Sequence, residues 1–187
     1  LDSWDLGTGA IDDGAGVAVS MEVANLVEKL KLRPKRTIRV IAWMNEENGS
    51  MGSKTYAKDH EKDFSNHLAA METDGGAGHP LGLNIKGDPE IKKMLAPVAA
   101  ILQESGAGML NLVEHCGADI EPMEKAGVPA FSPIQDSRFY FNYHHTAADT
   151  LDKIAPKELA ENCAVLAVSA YALANSEQPL PRMAPTK

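Results

Sequence analysis

Nowhere in its 187 residues does this chain carry an apolar run near the roughly 20 residues that a bilayer-spanning helix needs. No membrane span is therefore expected. Cysteine is scarce: Cys116 and Cys163 are the only two, and no Cys-x-x-Cys spacing occurs. That excludes a disulfide framework and argues against a cysteine-built metal site, while leaving open whether these two pair. A dense Lys/Arg stripe is also missing. With 18 basic against 26 acidic residues and a formal net charge of -8, the chain would repel nucleic acid phosphates, so that partner class is excluded. The longest basic cluster, residues 31–36, falls between a helical and a strand pattern and reads as a solvated connection. There is no internal repeat, no low-complexity tract and no initiator Met. The absence of a targeting segment consequently says nothing about compartment.

What is present is ordinary for a globular domain: 44% hydrophobic and 24% charged residues, in a length that suits one domain with a sizeable core. Val19, Val23, Leu26, Val27 and Leu30 follow the helical i, i+4, i+7, i+8, i+11 rule, predicting an amphipathic helix over roughly residues 14–31. Ile91, Met94, Leu95, Val98, Ile101 and Leu102 do the same after Asp88-Pro89, which reads as an N-cap followed by proline at the first helical position. Leu159, Cys163, Leu166 and Ala170 mark a last helix opening near Pro156. Between them, residues 37–43 form a nearly continuous apolar run, as expected of a strand covered on both faces. Residues 67–71 and 128–131 have strand character as well. Strands alternating with amphipathic helices predict an α/β fold, a mixed and largely parallel sheet sandwiched between helices. The domain is expected to span residues 1–177, with the three-proline segment 178–187 as a poorly ordered tail.

Acidic and imidazole residues gather in four places. The stretch Gly9-Ala10-Ile11-Asp12-Asp13-Gly14-Ala15-Gly16 precedes the first helix, and Glu46-Glu47 follows the strand ending at Trp43. Glu72-Thr73-Asp74 follows the strand ending at Met71, and His144-His145-Thr146 leads to Asp149-Thr150. Each has a bland explanation taken alone. Asp12 or Asp13 could simply cap a helix, Glu46-Glu47 could be a solvated first turn, Asp74 a turn residue and the histidines a surface pair. Jointly they say more. In open α/β sheets ligands bind beyond the carboxyl ends of the strands, and carboxylates gathered there repel unless a cation neutralises them. Mixed carboxylate and imidazole donors suit zinc, whereas an all-oxygen magnesium or calcium site would not need His145. A phosphate-binding loop at Gly7-Thr8-Gly9 is rejected, because two aspartates stand where the phosphate should sit and no lysine follows at Walker spacing.

These motifs, taken with Leu1-Asp2-Ser3-Trp4-Asp5 and Leu32-Arg33-Pro34-Lys35-Arg36-Thr37, resemble the di-zinc aminopeptidases (zinc exopeptidases) and most closely their carboxypeptidase Q branch. The resemblance spans nearly the whole chain. It implies that Asp12 bridges two zinc ions and is followed by a cis peptide, that Glu47 and His145 complete one zinc site, and that Asp74 serves the other. That second site would take its remaining ligand from a histidine immediately before Leu1, so the chain reads as truncated at its N-terminus with one site incomplete. Asp2 would orient that histidine from behind. The resemblance makes Glu46 the general base for a water held between the zinc ions, acting on dipeptides or short peptides. Relatives often carry tyrosine before the last ligand to stabilise the oxyanion, and His144 would take that role here or support its neighbour. Asp119 and Ile120 lie where relatives often line the side-chain pocket. The resemblance further implies an extracellular or periplasmic parent, and the oligomeric state is left open, a homodimer included. Two other readings remain: a non-catalytic relative kept as a binding module, and a one-zinc acyl-transfer enzyme of the glutaminyl cyclase kind. Retention of Glu46 speaks against the first and adjacent Asp12-Asp13 against the second.

Overall fold

The computed structural model describes residues 1–4 and 6–186; Asp5 of the first motif and Lys187 of the tail lie outside the described residues. Among the described residues four strands form one sheet: β1 (Ala70–Met71), β2 (Pro80–Lys86), β3 (Met109–Leu112) and β4 (Ala130–Gln135), in the order β1-β4-β2-β3. β1 pairs β4 and β2 pairs β3 in parallel, while β2 and β4 run antiparallel. Six α-helices accompany them: α1 (Ala15–Lys29), α2 (Met51–His60), α3 (Glu90–Met94), α4 (Ala96–Gln103), α5 (Glu121–Lys125) and α6 (Pro156–Asn175).

Strand alternation sorts the core into two layers, because neighbouring side chains leave a strand on opposite faces. Ala70 and Ala130 point to one side and pack with Phe64, Ile120, Met123 of α5 and Val128, flanked by Tyr56 and Ala57 of α2. Phe131 and Ile85 point to the other, against Ile91 of α3, Leu95 and Leu173 of α6. On that same side Met71 meets Val19 and Val23 of α1 and Leu166 of α6. The mixed sheet is thus sandwiched between helices, as the alternation of patterns predicts.

Three elements differ from expectation. The apolar run expected as one helix is two, α3 and α4, broken before Pro97, whose nitrogen has no proton to donate to the preceding turn. Residues 37–43 are not a strand covered on both faces. They pair with no strand and are exposed or half-buried, and a cavity of about 730 Å³ lies between them and residues 66–71 at the β1 edge. The proline-rich end is docked rather than loose: Leu180 is 5% exposed within the core, Arg182 donates to the Phe64 carbonyl at 2.8 Å, and the Thr186 amide donates to the Lys125 carbonyl at 2.8 Å. Both cysteines are free thiols.

Candidate metal centre

Four chain segments converge beyond the carboxyl end of β1. The first is the turn Ala10–Gly14, where Asp12 and Asp13 leave helical geometry and are joined by a cis peptide, as the resemblance implies. Two glycines permit this approach. Gly9 adopts φ 65, open to glycine without strain, and a Cβ on Gly16 would sit 2.0 Å from the Thr73 carbonyl oxygen, so the start of α1 can press against residues 72–74. It is Asp13 that caps α1, accepting the Gly16 amide at 3.0 Å. Asp12 is thereby free for another task.

Asp12 is 7% exposed, and its Oδ2 is buried with no hydrogen-bond partner. Nε2 of His144 and Nε2 of His145 each lie 3.3 Å from that oxygen, and His145 Nε2 is also 2.9 Å from Glu47 Oε2. Donor atoms of Asp12, His144 and His145 all fall within 4.8 Å of one another. A buried carboxylate oxygen facing imidazole nitrogens without sharing a hydrogen bond is costly as it stands and suited to a cation. The residues fit a zinc ion with mixed oxygen and nitrogen donors.

Behind this group lies a cavity of about 60 Å³ lined by Asp2, Asp12, Asp13, Glu46, Glu47, Glu72, Asp74 and Asp119. Burial, reinforced by mutual repulsion, pushes Asp13 and Glu72 up to about 8 and Asp74 to about 9, and raises Glu46, Glu47 and Asp119. Asp74, expected to serve a second metal, therefore shares the carboxylate cavity with Asp12, and Tyr140 Oη donates to its carbonyl at 3.3 Å. Asp2 Oδ1 accepts the Glu46 amide at 3.0 Å, tying residues 1–4 to the turn that carries both glutamates, while Asp2 Oδ2 is buried without a partner. Asp119 lines the cavity, but Ile120 does not. Its side chain is buried in the core and its amide donates to Glu72 Oε2 at 2.8 Å.

The architecture has counterparts among known proteins. The sequence model of peptidase family M28 matches residues 1–170. The chain belongs to peptidase family M28. It is 39% identical to human carboxypeptidase Q over 97% of its length, covering 38% of that protein. A crystal structure of an M28 peptidase precursor from Shewanella amazonensis superposes with a TM-score of 0.89 at 41% identity, covering all of this chain and 42% of that one. An aminopeptidase from Aneurinibacillus sp. strain AM-1 gives 0.73 at 29% identity, again over all of this chain and 45% of its own. This M28 chain thus spans about two fifths of the length of the curated relatives it matches.

One residue of this M28 site escaped assignment from sequence. Asp149, 3% exposed, accepts the amides of Ile11 at 2.6 Å and Asp12 at 3.1 Å, while its carbonyl accepts both the amide and the hydroxyl of Thr8. It fastens the Asp12 turn to the histidine loop. Asp149→Ala leaves two buried amides unpaired and is expected to cost roughly 2–4 kcal/mol. Urea denaturation checks this, and a loss below about 0.5 kcal/mol, the range of surface substitutions, would contradict the clamp.

Proposed function

We propose that this chain carries the metal centre of a zinc exopeptidase that hydrolyses dipeptides or short peptides. The observation that carries the reading is the buried, unpartnered Oδ2 of Asp12 facing His144 and His145, with Glu47 on the far side of His145. Asp12, Glu47 and His145 would hold one zinc, and Asp12 with Asp74 would contribute to a second. When bound, zinc supplies Lewis acidity, polarising the scissile carbonyl and lowering the pKa of water.

The chain's own groups supply the rest. Glu46, whose affinity for a proton is raised by burial and by Asp119 and Glu47, accepts the proton of the attacking water and returns it to the leaving amine. His144, stacked on His145 with ring centroids 3.7 Å apart, donates toward the carbonyl oxygen as negative charge develops there. The surplus of carboxylates around the cavity favours a substrate's free amino terminus, which directs cleavage to a peptide end. Among the described residues no helix is long and apolar enough to cross a membrane.

Zinc content after equilibration and desalting tests the reading. About one zinc per chain is expected from Asp12, Glu47 and His145, and Glu47→Ala is expected to weaken binding by at least tenfold. A zinc-free wild-type chain, or unchanged affinity in Glu47→Ala, would overturn the ligand set.

A further inference from the structure

The indole of Trp4 lies flat on the imidazole of His145. The ring centroids are 4.5 Å apart and the planes differ by 9°. On its other side His145 stacks against His144 at 3.7 Å and 16°. Three rings therefore form one pile, with the middle ring presenting Nε2 to Asp12 and Glu47. This stack has work to do. Metal-binding imidazoles are ordinarily oriented by a hydrogen bond from the second ring nitrogen, and among the described residues none is made by Nδ1 of His145. The backbone does not fix the ring cheaply either, because His145 sits at φ 59, in the left-handed region that favours glycine.

Trp4 itself is held from both directions. Ahead of it, the Leu1 backbone nitrogen donates to the Trp43 carbonyl at 2.6 Å and Asp2 Oδ1 accepts the Glu46 amide. Behind it, Thr8 is bonded through its amide at 2.8 Å and its hydroxyl at 3.0 Å to the Asp149 carbonyl. A ring fixed at both flanks can restrict a neighbour by parallel, offset contact. At 42% exposure Trp4 is not a core residue, and its burial gives little reason for its presence there.

We propose that Trp4 is a positioning residue for His145: its indole holds the imidazole in the plane that aims Nε2 at the metal. The proposal rests on the zinc reading above, and the experiment separates the two. Zinc alone is titrated calorimetrically into the wild-type chain, Trp4→Ala, Trp4→Phe and His145→Ala. In parallel, NMR of the metal-free chains follows the His145 ring protons, which the Trp4 ring current shields. Trp4→Ala is expected to lose about tenfold in zinc affinity, the lower end for removal of a group that orients a ligand. Its His145 ring signals are expected to move downfield while those of His79 stay in place. Trp4→Phe, which can still stack, is expected to restore most of the affinity. Wild-type affinity in Trp4→Ala, unmoved His145 signals, or no rescue by phenylalanine would overturn the positioning role alone. A wild-type chain that takes up no zinc, or His145→Ala binding as wild type does, would overturn the metal reading and this inference with it.

Discussion

In the intact parent protein, Glu46→Gln is expected to remove nearly all peptide hydrolysis while leaving zinc bound. The expectation follows from the division of labour between two adjacent glutamates. Glu47 Oε2 lies 2.9 Å from Nε2 of His145, within the group that faces Asp12. Glu46 makes no such contact. Its amide is fixed by Asp2, and its carboxyl lines the small acidic cavity, with its proton affinity raised first by burial and then by Asp119 and Glu47. A carboxyl tuned upward is better matched to accepting and returning a proton near neutrality than one at its ordinary value. Loss of a positioned general base typically costs 10²–10⁴ in rate, or roughly 2.7–5.4 kcal/mol of barrier. Glutamine keeps the volume and cannot accept the proton, so kcat should fall with zinc content unchanged. Hydrolysis within a few-fold of wild type would remove Glu46 from the proton-transfer step. Loss of zinc together with activity would move it into the ligand set.

The sequence carried the outline of this site because its acidic residues border apolar runs. Glu72-Thr73-Asp74 comes directly after β1, and Asp12-Asp13 directly before the five-residue apolar period of α1. The helices were legible for the same reason, since periodicity needs only local information. The break before Pro97 was not anticipated: apolar periodicity ran on across it, although the missing amide proton that interrupts the helix is a local property. Other features depended on distance. Asp149 reaches the amides of Ile11 and Asp12 across 138 and 137 residues, and no spacing rule connects them. The Trp4–His145 stack is of the same kind. Residues 37–43 illustrate a different limit: an apolar β-branched run specifies an extended backbone, but whether it joins a ladder depends on what lies beside it. Here that neighbour is a cavity. Composition misled for the tail, where three prolines suggested looseness while Leu180 and Arg182 supply the anchors.

The metal-free chain is expected to become less stable as pH rises from about 5 to 8, and zinc is expected to reverse that loss. Asp13, Glu72 and Asp74 have folded-state values of about 8, 8 and 9, against 3.8 to 4.5 for the ordinary carboxyls of an unfolded chain. Between those limits the folded chain retains protons that the unfolded chain has released, so stability falls with rising pH. One retained proton costs roughly 1.4 kcal/mol per pH unit. Over the three units of this window a single retained proton amounts to about 4 kcal/mol, or roughly 8–16 °C in Tm for a chain of this length. The carboxyls lowered by their surface partners, Asp136, Asp152, Glu161 and Glu177, lose their contribution only as pH falls through their depressed values. They do not interfere in this window. Asp74→Asn removes the most strongly shifted group and should flatten the profile. Zinc competes with protons for the same oxygens, so its stabilisation should be greater at pH 8 than at pH 5. Thermal melts with and without zinc across the range check both parts. A metal-free Tm that is level or rises over this window would mean that the carboxylate cavity is solvated well enough to ionise without a cation.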